Sequence, residues 1–458
     1  MIEVVQAVKV YGSLPDLESV VARLARKGIP VAELVVTETS PSRQRLGQIV
    51  EKATALGIKA SRIADITETS QLTSDSLLEP KAIELGDLLG RPEIATDLPG
   101  IANLINGRTI LVTGAGGSIG SELCRQCARH GARRIALLEI DELALLTVEA
   151  DLRRDFPGIE CLPVLGDAGD PAVIAHALRE AEPEAVFHAA AYKQVPLLQR
   201  QLREAVRNNV LATETVARES VAAGVGTFVL ISTDKAVDPV NVLGATKRLA
   251  EMLCQSLADP RSTRFVTVRF GNVLDSAGSV VPLFREQIRK GGPVTVTDPQ
   301  VTRFFMTIPE ACQLILQASA IGAQQAVYTL DMGEPVSIRV LAEQMIRLAG
   351  KHPGRDIAIV YTGLRPGEKL HETLFHADER YRPTSHPKIL QAAARQVPAD
   401  AIAEALACLR DASLQYDLDA LATILRDAVP EFEPMASTGG ASPAATVVPF
   451  PARNARRT

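Results

Sequence analysis

Predicted strands and helices alternate through most of the 458 residues, which makes this an α/β protein built on a Rossmann-type, doubly wound parallel sheet. Three observations carry that expectation. A short apolar strand, Thr109 to Thr113, runs into the glycine turn Gly114-Ala-Gly-Gly-Ser-Ile-Gly120 and then a helix. A second apolar run, Phe228 to Ile231, is rich in branched residues and ends in Ser232, Thr233, Asp234 and Lys235. Between the two lie further strand–helix repeats, with strands at Arg134 to Leu138, Leu162 to Leu165 and Ala185 to Ala191 and a helix at Glu204 to Ala223.

The glycines are spaced G-x-x-G-x-x-G, at Gly114, Gly117 and Gly120. They allow positive φ and close approach of backbone to a pyrophosphate; the helix expected from about Ser121 to His130 presents free N–H groups to it, with Ser118 and Ile119 in the turn as further candidate cofactor-binding residues. Glu139 ends the next strand, where a carboxylate accepts from a ribose 2′-hydroxyl and repels a 2′-phosphate. No Arg or Lys follows within Ile140-Asp-Glu-Leu143, so NAD is expected rather than NADP. Asp167, followed by Ala168, is a candidate acceptor for an adenine amino group. Ala189, Ala190 and Ala191 are small enough for cofactor backbone to pass, and Lys193 follows them as a candidate cofactor- or substrate-binding cation. Carboxyl ends of strands face the ligand crevice of such sheets, so Thr233, Asp234 and Lys235 are the expected chemical centre. After Pro239 a helix from about Asn241 carries Lys247.

Around this core the chain divides into five parts. Residues 1–68 read as a small α/β module, with strands at Val4 to Val10, Ala32 to Val36 and Lys59 to Ile63 and helices at Leu14 to Arg26 and Arg43 to Leu56. That module lacks a phosphate-binding fingerprint and reads as a docking or oligomerisation unit. Residues 69–100 are polar and irregular, a linker. Residues 101–395 hold the nucleotide-binding core (about 108–270) and a smaller C-terminal substrate-binding part (271–395). Residues 396–430 form C-terminal helices. The tail, 431–458, is rich in Pro, Ala, Ser, Thr and Gly and is expected to be disordered.

A hydrophobic share of 46% and a net charge of −5 describe an ordinary globular protein, with no electrostatic reason to expect nucleic acid or an anionic membrane as partner. No window is long and apolar enough for a membrane span, and Met1-Ile-Glu-Val4 does not open a signal peptide. Six cysteines in so long a chain make no disulfide framework, so a cytoplasmic location is expected. Cys124 and Cys127 form C-x-x-C inside a helix without a second pair; packing is expected of them, not redox chemistry, and no metal site is expected.

Further motifs accumulate: Ala190-Ala-Tyr-Lys-Gln-Val-Pro196, Ile231-Ser-Thr-Asp-Lys-Ala236, Val240-Asn-Val-Leu-Gly-Ala-Thr-Lys-Arg248, Arg269-Phe-Gly-Asn-Val273, Thr302-Arg-Phe-Phe-Met306 and Arg365-Pro-Gly-Glu-Lys369. With the glycine turn they resemble the extended short-chain dehydrogenase/reductases, and more closely the polysaccharide-biosynthesis nucleotide-sugar dehydratases that act on UDP-N-acetylglucosamine. The resemblance covers about Leu88 to Leu390. Larger relatives carry membrane helices and a further domain ahead of this part, and residues 1–68 look like a remainder of that domain.

The resemblance implies a 4,6-dehydratase. Hydride leaves C4 of the sugar for NAD, the C5 proton and the C6 hydroxyl leave as water, and hydride returns to C6. Thr233 is then expected to contact O4, Lys235 to take the C5 proton, and Asp234 to protonate the departing water. Lysine works as a base only if its pKa is lowered; Lys247, expected as a cofactor-binding residue with its ammonium by the nicotinamide ribose, is a candidate cationic neighbour. Asn272 and Val280 are expected beside the sugar and uridine, Arg303 and Arg365 at the diphosphate, and Glu368 at ribose hydroxyls. A homo-oligomer is expected. Two positions depart from the family pattern. Gln194 replaces a histidine, and Leu243 stands where most of the superfamily has a catalytic tyrosine four residues before Lys247. A nucleotide-sugar 4-epimerase and a catalytically silent NAD-binding scaffold remain alternatives.

Overall fold

The computed structural model describes residues 17–38, 43–63, 80–88, 98–257, 263–322, 325–377, 379–392, 398–434 and 446–447. The N-terminal strands β1 (Glu33–Val36) and β2 (Lys59–Ile63) pair in parallel, and β3 (Pro80–Ala82) pairs antiparallel to β2. The expected strand at Val4 to Val10 lies outside the described residues. Part of the expected linker is structured. Besides β3 it contributes a short helix, Leu85–Leu88, and buries Ile83 and Leu88 against Val36, Leu46 and Val50. Three paired residues are too few to leave a strand periodicity in the sequence.

The main sheet has nine strands. β4 (Thr109–Thr113), β5 (Arg134–Glu139), β6 (Glu160–Leu165), β7 (Ala185–His188), β8 (Thr227–Ile231) and β9 (Arg264–Arg269) stand in the order β6-β5-β4-β7-β8-β9. Ala326–Leu330 extends the sheet in parallel beyond β9, and Ile389–Ala392 and Tyr381–Pro383 close that edge antiparallel. The chain winds outward one way from β4 and the other way from β7. The carboxyl ends of those two strands therefore flank the switch point, where ligands bind in this architecture. Central strands are apolar on both faces because helices cover both: β4 and β7 are buried along their whole length.

Helix starts follow local chemistry. Asp141, Asp170 and Asn241 cap the helices Glu142–Asp155, Pro171–Ala181 and Val242–Ser256, each accepting from a first-turn N–H. The expected helix at Glu204 to Ala223 is three pieces: Leu202–Val206, a π-helical turn Arg207–Leu211, and Ala212–Ala222. The wide turn buries Asn209, whose amide bonds both backbone groups of Tyr192 at 2.9 and 3.0 Å and so holds the chain leaving β7.

The part after β9 has its own apolar core, including Phe284, Val294, Phe305, Leu341 and Ile359. The N-terminal unit packs on it, where Thr54 donates to the Arg347 carbonyl at 3.3 Å and Leu85 joins the cluster. The C-terminal helices Ala399–Gln415 and Leu418–Ala428 cover the helix Val242–Ser256 through Leu406, Leu409, Leu421 and Leu425. Residues 431–434, expected to open a disordered tail, are structured instead. Glu431 pairs with Arg248 at 3.1 Å, Phe432 is buried, and Glu433 N–H bonds the Pro239 carbonyl. A charge partner and one aromatic suffice to anchor these residues. Thr446–Val447 pairs with Val360 and Tyr361, and the rest of the tail lies outside the described residues. Among the described residues no helix is long and apolar enough to cross a membrane.

One buried ionic cluster links these layers. Glu251, on the helix Val242–Ser256, is fully buried and takes both Nε and Nη2 of Arg269 on β9, at 2.9 and 2.6 Å. Burial would raise its pKa, but Arg269 outweighs burial and, with Arg248 and Ser232, brings it down to about 2. A carboxyl lowered in this way contributes stability above its unfolded value, near 4.5, that is lost as pH falls through about 2. The contribution is on the order of 3 kcal/mol. Urea unfolding should show Glu251→Gln destabilised by about 3 kcal/mol near neutrality, because Arg269 and Arg248 each lose one of two carboxylate partners. The variant should also lose much of the wild-type fall in stability between about pH 5 and pH 3; an unchanged acid dependence would contradict this account.

Candidate active site

The glycine turn is built for close approach. Gly114 has φ +65°, and a Cβ there would stand 2.7 Å from the Ala190 nitrogen; one on Gly120 would stand 2.0 Å from the Gly114 carbonyl oxygen. The helix Ser118–Arg129 starts at Gly117 without a side-chain cap, so its first N–H groups face the crevice beside the ends of β4 and β7. That is a fitting cradle for a pyrophosphate, with Ala189 and Ala190 alongside and the exposed Ala191 and Lys193 beyond. Ser118 Oγ accepts from Ala277 N–H at 3.2 Å, and Ile119 packs into the core, so both also brace the turn. Glu139 is buried at the end of β5. Its Oε2 accepts from Gly116 N–H at 2.9 Å and its Oε1 from the N–H groups of Ile140 and Asp141. Those bonds fix a negative charge next to the turn. Asp167 Oδ1 accepts from Gly169 N–H at 2.7 Å at the edge of the crevice, and Ala168 is buried behind it.

Five polar groups meet past the end of β8. Lys235 Nζ lies 2.9 Å from Asp234 Oδ1, 3.1 Å from Asn272 Oδ1 and 3.6 Å from Glu372 Oε1. Thr233 Oγ1 donates to Asp234 Oδ1 at 3.0 Å. Asp234 is wholly buried, and its Oδ2 accepts no hydrogen bond. The turn is held by β9, because Ser232 and Asp234 N–H groups bond the carbonyls of Val268 and Phe270. Thus Thr233, Asp234, Lys235 and Asn272 do converge. Glu372, missed in the sequence, completes the group; three residues after Lys369 in the Arg-Pro-Gly-Glu-Lys run, it carried a signal only as one more acidic residue.

One expectation about this centre fails. Lys235 was to have a lowered pKa, yet its pKa is raised: burial pulls it down, and Asp234 and Glu372 more than offset that. The lysine pushed down is Lys247, to about 8, by burial, with Glu251 opposing. Leu243 is buried among Leu198, Ala205 and Val242 and offers no proton acceptor.

The expected diphosphate cations separate. Arg303 is buried and committed to the carbonyls of Thr302 and Leu370, at 2.7 and 3.1 Å, and to Glu368 Oε1 at 3.0 Å. It clasps the Arg-Pro-Gly-Glu-Lys turn, so neither it nor Glu368 stands open as a ligand group in this arrangement. Arg365 is exposed, and Val280 opens the helix Val280–Arg289, whose N-cap Ser279 makes no side-chain cap bond. Gln194, at the position departing from the family pattern, bonds the Gly278 carbonyl at 3.2 Å. Cys124 and Cys127 are buried core residues, and burial pushes the Cys127 thiol up to about 12.

Comparison with known proteins fits this geometry. The chain is 43% identical over 390 residues to the capsular polysaccharide biosynthesis protein CapD of Staphylococcus aureus, covering 84% of this chain and 64% of that protein. It is 47% identical over 308 residues to the probable polysaccharide biosynthesis protein EpsC of Bacillus subtilis, covering 67% and 51%. The chain therefore spans about half to two thirds of the length of these curated relatives. Among solved structures, Pen from Bacillus thuringiensis aligns with a TM-score of 0.58 at 30% identity, over 63% of this chain and 90% of that one. DesIV from Streptomyces venezuelae, a dTDP-glucose 4,6-dehydratase solved with NAD bound, has a TM-score of 0.51 at 22% identity, over 58% and 88%, a likeness of fold. The model of the polysaccharide biosynthesis protein family matches residues 110–394, more than half the chain and all of the site, and the chain belongs to that family, on an extended short-chain dehydrogenase/reductase fold.

Proposed function

We propose that the protein is an NAD-dependent nucleotide-sugar 4,6-dehydratase acting on UDP-N-acetylglucosamine. The observation that carries this reading is the acid–base pair at the carboxyl end of β8, the buried Asp234 with its Oδ1 at 2.9 Å from Lys235 Nζ. Epimerisation needs a hydride carrier and a contact to O4. Elimination across C5–C6 needs, in addition, a base and an acid side by side. Bound NAD supplies the hydride acceptor for C4 and the hydride donor for C6.

The residues divide the proton transfers as follows. Thr233 takes the O4 proton while passing its own to Asp234, along the 3.0 Å bond it already makes. This route needs no tyrosine, which suits Leu243. Lys235, as the amine, takes the C5 proton as Asp234 gives its proton to the C6 oxygen, the C6–O bond breaks and water leaves. That leaves an ammonium beside a carboxylate, the ion pair described above. Lys235 then returns its proton to C5 as C6 receives hydride, and the amine and carboxylate are restored.

Mass spectrometry of the purified chain with UDP-N-acetylglucosamine and NAD should show loss of one water. Unchanged mass with a new isomer would indicate an epimerase, and no change a silent protein. Lys235→Ala and Asp234→Asn should each lower turnover by about 10²- to 10⁴-fold, with wild-type rates in either removing it from this scheme.

Because Asp234 and Glu372 raise the Lys235 pKa, the amine forms only at alkaline pH. Turnover should therefore climb with pH through at least about pH 9. Glu372→Gln removes one of the two carboxylates and should move that rising limb to lower pH; a limb that stays or moves upward would refute the assignment. Glu139→Ala should weaken NAD binding and reduce the preference over NADP by about tenfold or more, read by titration calorimetry with each dinucleotide.

A further inference from the structure

The helix Val242–Ser256 buries three charged side chains, Lys247, Arg248 and Glu251. Glu251 follows Lys247 by four residues, which places both on one helix face a turn apart. Its Oε1 accepts from Ser232 Oγ at 2.6 Å and from Arg269 Nε at 2.9 Å; its Oε2 accepts from Arg269 Nη2 at 2.6 Å and from Arg248 Nη1 at 3.4 Å. Arg269 is held from its other edge by both oxygens of Glu379, at 3.0 and 2.8 Å. Ser232 directly precedes Thr233-Asp234-Lys235. One carboxylate therefore touches the strand end that carries the acid–base pair and shares a helix face with Lys247.

A buried cluster of this kind is expensive to desolvate, and apolar side chains of similar volume often stabilise as well. Apolar packing could not, however, supply a counter-charge to Lys247. The titratable groups bearing on that lysine are Glu251 and Cys254 on its own helix and His188 on β7. Burial drives His188 down to about 3 and the Cys254 thiol up, so both stay neutral around pH 8. The charged groups on neighbouring elements are spoken for: Asp234 pairs with Lys235, Lys235 also faces Glu372, and Arg269 lies between Glu251 and Glu379.

We propose that Glu251 is a positioning residue for the dinucleotide half of the site: fixed by Arg269 and Arg248, its carboxylate keeps Lys247 cationic where the nicotinamide ribose binds, and through Ser232 it ties the catalytic strand end to that lysine. This rests on the dinucleotide-dependent reading above. Loss of the Glu251 charge removes the interaction that opposes burial, so the Lys247 pKa falls further and the cation is lost at lower pH.

The test is NAD affinity of the full chain by titration calorimetry from about pH 6 to pH 10, with thermal melting alongside. Wild-type affinity should hold to about pH 8 and then decline. In Glu251→Gln the decline should begin about one pH unit lower, giving binding about fivefold weaker near pH 8 but within about twofold of wild type near pH 6. Ser232→Ala, which keeps the charge, should retain the wild-type onset, and Glu251→Asp should fall between. Should Glu251→Gln melt below the assay temperature, Glu251→Asp decides: an onset below the wild type supports the proposal, and the wild-type onset overturns it. A Glu251→Gln profile parallel to wild type, whatever its melting temperature, also overturns it and leaves the dehydratase reading standing. Absence of NAD binding by the wild-type chain overturns both.

Discussion

The geometry of the crevice depends on a charge that never meets solvent. Glu251 is gripped by Arg269 from β9 and Arg248 from its own helix, and it takes the hydroxyl of Ser232 from the end of β8. Through Arg269 the grip reaches Glu379, and through Arg248 it reaches Glu431 in the C-terminal segment. Parts far apart in sequence are thereby referred to one point. Breaking such a cluster is costly, yet compared with apolar side chains of similar volume it gives little net stability, because desolvation consumes most of the Coulombic gain. Its value is directional: paired arginine–carboxylate bonds fix orientation more sharply than apolar contact can. A strand end set by apolar packing alone would leave Asp234 and Lys235 free to wander by more than an acid–base pair tolerates.

Much of the scaffold was legible in the sequence for reasons that can be named. Gly114 and Gly120 must be glycine because of positive φ and a 2.0 Å clash, so the turn leaves a compositional trace. Asp141, Asp170 and Asn241 announce helix starts because an unpaired N–H needs an acceptor at a fixed offset. β4 and β7 are apolar throughout because both faces are covered. Glu139 was readable from its place at a strand end.

Other features depend on partners that the linear order hides. Arg303 looks like a diphosphate ligand until Glu368 and two carbonyls are seen to absorb its donors. Glu372 is one acidic residue among many until folding carries it to Lys235. The same convergence reversed the expected pKa order of the two lysines. Lys235 and Lys247 are both buried, but Lys235 has two carboxylates close to its ammonium, whereas Lys247 has one carboxylate that does not offset burial. Desolvation is roughly readable from a pattern of apolar neighbours; the number of converging counter-charges is not.

The leucine at position 243 then acquires a consistent place. A tyrosine there would act as a phenolate, made accessible by a lysine one turn on. Leucine ends that division of labour, and under the proposals above Lys247 is left with a single task, as a cation. The O4 proton must travel elsewhere, and the hydrogen bond from Thr233 to Asp234 is already aligned for it. In the proposed dehydratase scheme Asp234 then holds the proton that the departing C6 oxygen requires, so that oxidation at C4 would arm the acid for elimination. A tyrosine base would hold that proton away from Asp234 and need a second relay to return it. In the proposed scheme Leu243 shortens the proton path, and a leucine at this position is compatible with turnover.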